Sequence, residues 1–500
     1  MWWLFACQPD ADPPKREDEA ALLSGTAWAA RASIDLVGRR PTLDELARVE
    51  AGEPVEDLVD EWLDDPAFAA RMAWLWNDAV HTAVYFDDYE RFGPLTFTQW
   101  KAMGWEPLAL VEALVAEDRP LTELVTSPEL LADPALAELW DVAYTGDAEE
   151  WAWTAYTDGR PMAGILSSNS LWQRWTGDAT NYNRRRANTV ASVFLCADFF
   201  DREGEFTFTV DSADLADVET AVQTQTACLT CHAALDPLAS YLGGFPERSQ
   251  DEPLERFRRY SPEQAAWFAA LTAPAYYGHP GGDLADLGAR IAADGRFARC
   301  AARRFAEGLG VDGDFTGELV AGDMLARPLA RAIVTSDEYR APDERVVTTE
   351  QLHGIVADLL GWDDGTEWDE GLKPLTWSVE HRVMGGGTDD DTVLLRNRSP
   401  GVGTHVLLEW VARQAVGPAL EADLARPLAS RRILTLTEGL PATQDDIYAQ
   451  LAAWHTRFLS APVEPDSPEV RRLVDLWLAA DDPAGEVIEA LIRHPAQVIY

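Results

Sequence analysis

The sequence predicts a mainly α-helical, multidomain chain, and three observations carry that prediction. Apolar residues recur at three- and four-residue spacing through much of the sequence. Strand-like alternation is scarce, residues 205–210 (EFTFTV) being the best case. The 500 residues also exceed what one hydrophobic core normally organises.

The first helical run, residues 43–49, is entered through Pro41-Thr42, a helix-start signal. Residues 55–63 stop at Asp64-Asp65-Pro66, and 67–76 resume the pattern. Further runs cover 107–116, 283–293, 297–309, 350–360, 404–416, 445–458 and 470–479. One idiom recurs at 58–68, 121–130, 329–339 and 487–498: a short polar step stops one helix and caps the next. Its irregular spacing argues against a solenoid. Composition shifts divide the chain into a leader and tether (1–20), an N-terminal helical domain (21–140), a middle domain (141–260), a further helical domain (261–345) and a C-terminal helical domain (346–500).

Charge and composition exclude several function classes. Hydrophobic residues make up 47% of the chain, which rules out wholesale disorder. Lys and Arg number 41 against 85 Asp and Glu, a net charge of −44. Such a chain is unsuited to gripping nucleic acid or an anionic membrane surface. No apolar run approaches the ~18 residues of a transmembrane helix. Leu4-Phe5-Ala6-Cys7 resembles a bacterial lipobox, and residues 8–19 read as a polar tether. The expectation is an exported lipoprotein of the periplasm or cell surface, with a lipid anchor on Cys7 and the first residues of its signal peptide missing from the sequence.

The residues that carry chemistry are Cys228-Leu229-Thr230-Cys231-His232, a C-x-x-C-H sequence. Two thiols about one helical turn apart can reach the two vinyl groups of one porphyrin, and the imidazole beside them is then held against the iron. The spacing therefore predicts one covalent haem c, with His232 as axial metal ligand. A redox dithiol and half of a zinc site are the alternatives; the sequence holds no second C-x-x-C or H-x-x-x-H to complete the latter. Met162, in Arg160-Pro161-Met162, is the leading candidate for the sixth iron ligand, with His81 and His279 behind it. In an acidic chain the cluster Arg184-Arg185-Arg186 stands out, and Arg185 is assigned to the haem propionates; a solvated or Asp-paired helix start is the plain alternative. Trp140, Trp151, Trp153, Trp172 and Trp175 precede the motif as an aromatic wall or as ordinary core. Cys196 and Cys300 can pair in an oxidising compartment or stay buried as free thiols. Residues 312–323 loosely match a calcium loop. Met384-Gly385-Gly386-Gly387 reads as a flexible turn, since it lacks the context of a phosphate loop.

Residues 160–175 (RPMAGILSSNSLWQRW), 181–199 (NYNRRRANTVASVFLCADF) and 228–245 (CLTCHAALDPLASYLGGF) together resemble the planctomycete-type cytochrome c proteins. Their pattern is a "GIL" turn, an Arg-containing helix ending in Leu-Cys, and C-x-x-C-H with Asp-Pro a few residues on. Residues 118–126 (DRPLTELVT) and 382–392 (RVMGGGTDDDT) extend the similarity outward, the latter toward myxobacterial members. The resemblance implies thioether attachment at Cys228 and Cys231, His232 as axial ligand, and pairing or packing roles for Cys196 and Cys300. It implies no distal ligand and no reaction.

The resulting reading is an exported monohaem c-type cytochrome with a haem-binding domain in its middle, passing single electrons to a redox partner protein. Its rivals are a haem-dependent oxidoreductase with an open iron position and a surface scaffold or binding protein. Whether the chain is an enzyme is left open by the sequence.

Overall fold

The computed structural model describes residues 21–86, 93, 95–147, 150–177, 182–199, 220–222, 224–246, 259–361 and 371–500. Cys7 with its lipobox, and the strand-like run 205–210, lie outside these residues. The chain is mainly helical, with 60% helix against 3% strand.

Local sequence explains where helices begin and end. Thr42 caps the Leu43–Glu50 helix through a capping box with Glu45. Asp65 both ends the Val55–Asp64 helix and caps Pro66–Val80, its carboxylate accepting from the Ala67 N–H. Asp294 does the same between Leu284–Ala293 and Gly295–Gly308. At 58–68 the helix-stop idiom is thus a one-residue corner that serves two helices and satisfies backbone groups on both.

Two helices depart from the periodicity reading for physical reasons. The run expected to start at Pro107 belongs to the longer helix Phe97–Ala116, opened by a Thr96–Gln99 capping box, with Pro107 inside it. The Gly25–Val37 helix shows little amphipathic pattern because it is buried nearly all round, Arg31, Ser33 and Asp35 included. The partners of Arg31 and Asp35 lie some 300 positions away. Arg31 bonds the Tyr339 and Ala341 carbonyls and Asp343, while Asp35 accepts from Tyr339 and Arg345.

Strands are confined, among the described residues, to two antiparallel ribbons. Leu130–Ala132 pairs with Ala152–Thr154, and Ala275–Tyr276 with His279–Pro280. Tyr277 and Gly278 form the tip of the second, both at positive φ (46° and 86°), as a two-residue hairpin turn requires.

Apolar side chains gather into two cores. The larger runs from Trp28 to Trp377, and the second gathers Ile34 with residues 347–498. A buried ionic joint connects them. The Asp390 carboxylate accepts from Asn77 Nδ2 (3.0 and 3.1 Å), the Val84 N–H (3.0 Å) and Thr388 Oγ1 (2.9 Å), with His81 Nδ1 at 3.4 Å. Glu350 receives Arg382 (2.7 Å) and Arg396 (3.0 Å), and Arg396 also clamps Asp78 (2.7 Å). Burial pushes the Asp390 and Glu350 carboxyls up, but these partners outweigh it and hold both well below the usual carboxylate range. The glycine turn expected to be flexible is packed into this joint: a Cβ on Gly385 would run into Thr349 and Leu407.

Candidate functional site

The C-x-x-C-H sequence occupies the first two turns of the Thr226–Ser240 helix. Cys228, Cys231 and His232 stand at i, i+3 and i+4, so helical geometry puts all three on one face. Both thiols are free and half-buried, and Cys231 packs against the edge of the larger core. Leu229 between them is exposed.

One turn further on, Asp236 Oδ1 lies 2.9 Å from His232 Nδ1. The same carboxylate takes a two-pronged contact from Arg184, Nε at 2.7 Å and Nη2 at 3.1 Å. Asp236 therefore fastens the motif helix to the Arg184–Leu195 helix and fixes the imidazole ring. Burial raises its pKa, and the bonds from His232 and Arg184 more than reverse this, leaving it below the ordinary aspartate value. Nδ1 is the nitrogen that Asp236 engages, so the ring's free acceptor is Nε2, the arrangement metal-bound histidines use.

The three arginines of the basic cluster separate in role. Arg184 belongs to Asp236. Arg186 is buried and spent on the carbonyls of Trp172, Trp175, Phe245 and Pro246. Arg185 is exposed, its guanidinium 5.3 Å above the Trp175 ring, and among the described residues it has no ion pair. Met162 is half-buried against the same core that carries Cys231. It precedes the Gly164 turn, where φ is +53° and a Cβ would run into the Leu124 carbonyl. Ile165 N–H donates to that carbonyl at 2.8 Å, so the "GIL" turn is bolted to the 121–126 segment. His81 instead faces Asp390 in the buried joint, and His279 is exposed on a hairpin.

Cys196 and Cys300 form a disulfide, Cα atoms 5.3 Å apart, between the Arg184–Leu195 and Gly295–Gly308 helices. The bond spans 104 residues and its loop contains the C-x-x-C-H motif. Of the expected aromatic wall, Trp140 and Trp172 are buried core. The aromatic cluster that sequence reasoning missed joins Trp74, Trp105 and Trp377, with Trp74 4.8 Å from Trp105 and 5.4 Å from Trp377. In the 312–323 segment Asp314 is used to cap Thr316, through its N–H at 3.0 Å and its hydroxyl at 2.5 Å. Among the described residues no three His, Cys, Asp or Glu side chains converge as metal ligands, which leaves both the calcium loop and the half-zinc alternative without a ligand set.

No protein-family model, curated protein or solved structure matches the chain. The site's own geometry therefore carries the reading. The residues present fit a covalently held haem: two free thiols and an imidazole share a face, the ring is fixed through Nδ1, and Arg185 is a cation without a carboxylate of its own among the described residues.

Proposed function

We propose that the chain is an exported monohaem c-type cytochrome that passes single electrons to a redox partner protein. The carrying observation is the Arg184–Asp236–His232 line behind two free, half-buried thiols on one helix face. Cys228 and Cys231 would each add S–H across a vinyl group, sulfur to one carbon and hydrogen to the other. His232 would donate Nε2 to the iron while its Nδ1 proton is held on Asp236. Haem held there supplies one-electron oxidation and reduction of its iron. Arg185 would pair with a propionate, a role supported by its exposure and by the absence of an ion pair to it among the described residues. Met162, a half-buried thioether against the larger core, is the side chain proposed as the second protein ligand that would hold the iron. The Cys196–Cys300 disulfide supports an oxidising compartment, the periplasm or cell surface; Cys7 would be the lipid anchor, on the lipobox-like sequence alone. No helix among the described residues is long and apolar enough to cross a membrane.

The test is co-expression of the full chain with a c-type maturation system, then a haem-stained denaturing gel and a pyridine haemochrome spectrum. One covalent haem per chain is expected. Cys228→Ser or Cys231→Ser should leave a single thioether and a shifted haemochrome band, and the double variant none. Folded, exported protein without covalent haem would refute the proposal.

A further inference from the structure

A cavity of about 540 Å³ opens where the Pro66–Val80 helix, the Gly295–Gly308 helix and the 385–398 turn meet. Its wall carries Arg71, Arg304, Arg345, Arg396 and Arg398. Three of these are accounted for. Arg345 is bonded to Asp35 and to the Leu309 and Tyr339 carbonyls. Arg396 sits between Asp78 and Glu350. Arg304 donates to the Ser192 and Val193 carbonyls at 2.7 and 2.9 Å.

The acids of the wall are largely spent as well. Asp78 serves Arg396, Glu307 serves Arg303 and Asp343 serves Arg31, while Glu344 is exposed. Arg398, also exposed, has no ion pair among the described residues, and neither does Arg71. Arg71 is only 6% exposed, and its Nε and Nη1 are shut off from solvent with no hydrogen-bond partner. A guanidinium cannot escape this cost by losing its proton, and a buried charge without a partner is strongly unfavourable. In a chain of net charge −44, a buried cation that none of the described carboxylates pairs with calls for an external anion.

We propose that this cavity binds a small organic oxyanion. Its carboxylate or phosphate group would accept from Arg71 Nη2, the guanidinium nitrogen that is not shut off from solvent, with Arg398 at the mouth. A charge-assisted hydrogen bond from a guanidinium N–H suits either group. The volume falls in the range of roughly 300–1,000 Å³ typical of small-molecule sites, larger than a bare ion needs. The site shares no residue with the C-x-x-C-H helix, so it stands whether or not haem is attached.

Isothermal titration of the full chain at fixed ionic strength tests this with citrate, glycerol 3-phosphate and inorganic phosphate as probes. One molecule of citrate or glycerol 3-phosphate per chain is expected to bind, and which of them binds tells carboxylate from phosphate recognition. Arg71→Met should weaken that binding on the order of tenfold or more. Without ligand the same variant should melt no lower than the parent, because it removes an unpaired buried charge. Arg398→Gln lies on the surface, should fold normally, and should weaken binding by a few-fold. Absence of binding by both organic probes at about 1 mM would overturn the proposal. So would inorganic phosphate binding as tightly as they do, or unchanged affinity in Arg398→Gln should Arg71→Met fail to fold.

Discussion

The C-x-x-C-H helix and the Asp390–Glu350 joint use polar groups in opposite ways. In the joint, the carboxylates of Asp390 and Glu350 are buried and each meets several donors from distant parts of the chain. On the motif helix the thiols are free and half-buried, and His232 has one nitrogen engaged and one to spare. Saturated polar groups hold elements together, because every unpaired member would cost free energy. Unspent bonding capacity held in fixed geometry is what a cofactor or ligand requires. Arg71 is the sharper case, since it combines the burial of the joint with the unspent valence of the motif.

The largest effect expected from this contrast is in the joint. Glu350→Gln would take from buried Arg382 its carboxylate contact and leave Arg396 with Asp78 alone among the described residues. Breaking a buried pair from one side costs about 3–5 kcal/mol. Urea denaturation should show that loss as a lower midpoint. A cost under about 1 kcal/mol would mean the joint behaves like surface ion pairs, and the contrast would fail.

Next in size is a pH effect at the capping box that opens the Leu43–Glu50 helix. Glu45 accepts from Arg39 (2.9 Å), the Thr42 N–H (2.6 Å) and Trp62 Nε1 (2.8 Å). Burial raises its pKa, but these bonds together bring it down from 4.5 to about 2. A folded pKa below the unfolded one gives stability that is complete above pH 4.5 and is lost as pH falls toward 2. The loss amounts to about 3 kcal/mol if the whole shift is realised. Denaturation midpoints measured across that window should fall in the parent and fall less in Glu45→Gln; parallel curves would remove Glu45 from the set of saturated carboxylates.

How far the sequence reached obeys the same division. Helices with a polar outer face and a cap, such as Leu43–Glu50 and Pro468–Ala479, are legible because spacing and cap lie within a few residues. The Gly25–Val37 helix is not, since its charged residues are answered from beyond residue 330 and its pattern looks irregular in isolation. The Trp74–Trp105–Trp377 cluster is invisible for the same reason. The C-x-x-C-H face is fully local and legible. Asp236 is legible too: an acid four residues after a helical histidine stands one turn away. Which arginine of the 184–186 cluster meets that acid depends on the packing of two helices, and the answer is Arg184. Arg71 carries no local signal at all, because an unpaired cation is defined by the absence of partners from every other segment.

The smallest expected effect on stability belongs to Asp236, and it separates fastening from tuning. Asp236 and His232 are each about one-quarter exposed, so their contact and the Arg184 pair are partly screened. Asp236→Asn keeps an oxygen for the His232 Nδ1 proton while removing the charge, and should cost under about 1 kcal/mol. If His232 is the iron's ligand, the same change has a second consequence. A carboxylate on Nδ1 makes the imidazole a stronger donor, which favours the oxidised metal; its neutral replacement should move the midpoint potential to more positive values. Spectroelectrochemical titration of the haem-loaded chain reads that shift independently of stability. A stability loss as large as that of Glu350→Gln with no change in potential would make Asp236 a second structural joint. A positive shift at nearly unchanged stability would mark it as the residue through which this fold sets the properties of its metal ligand.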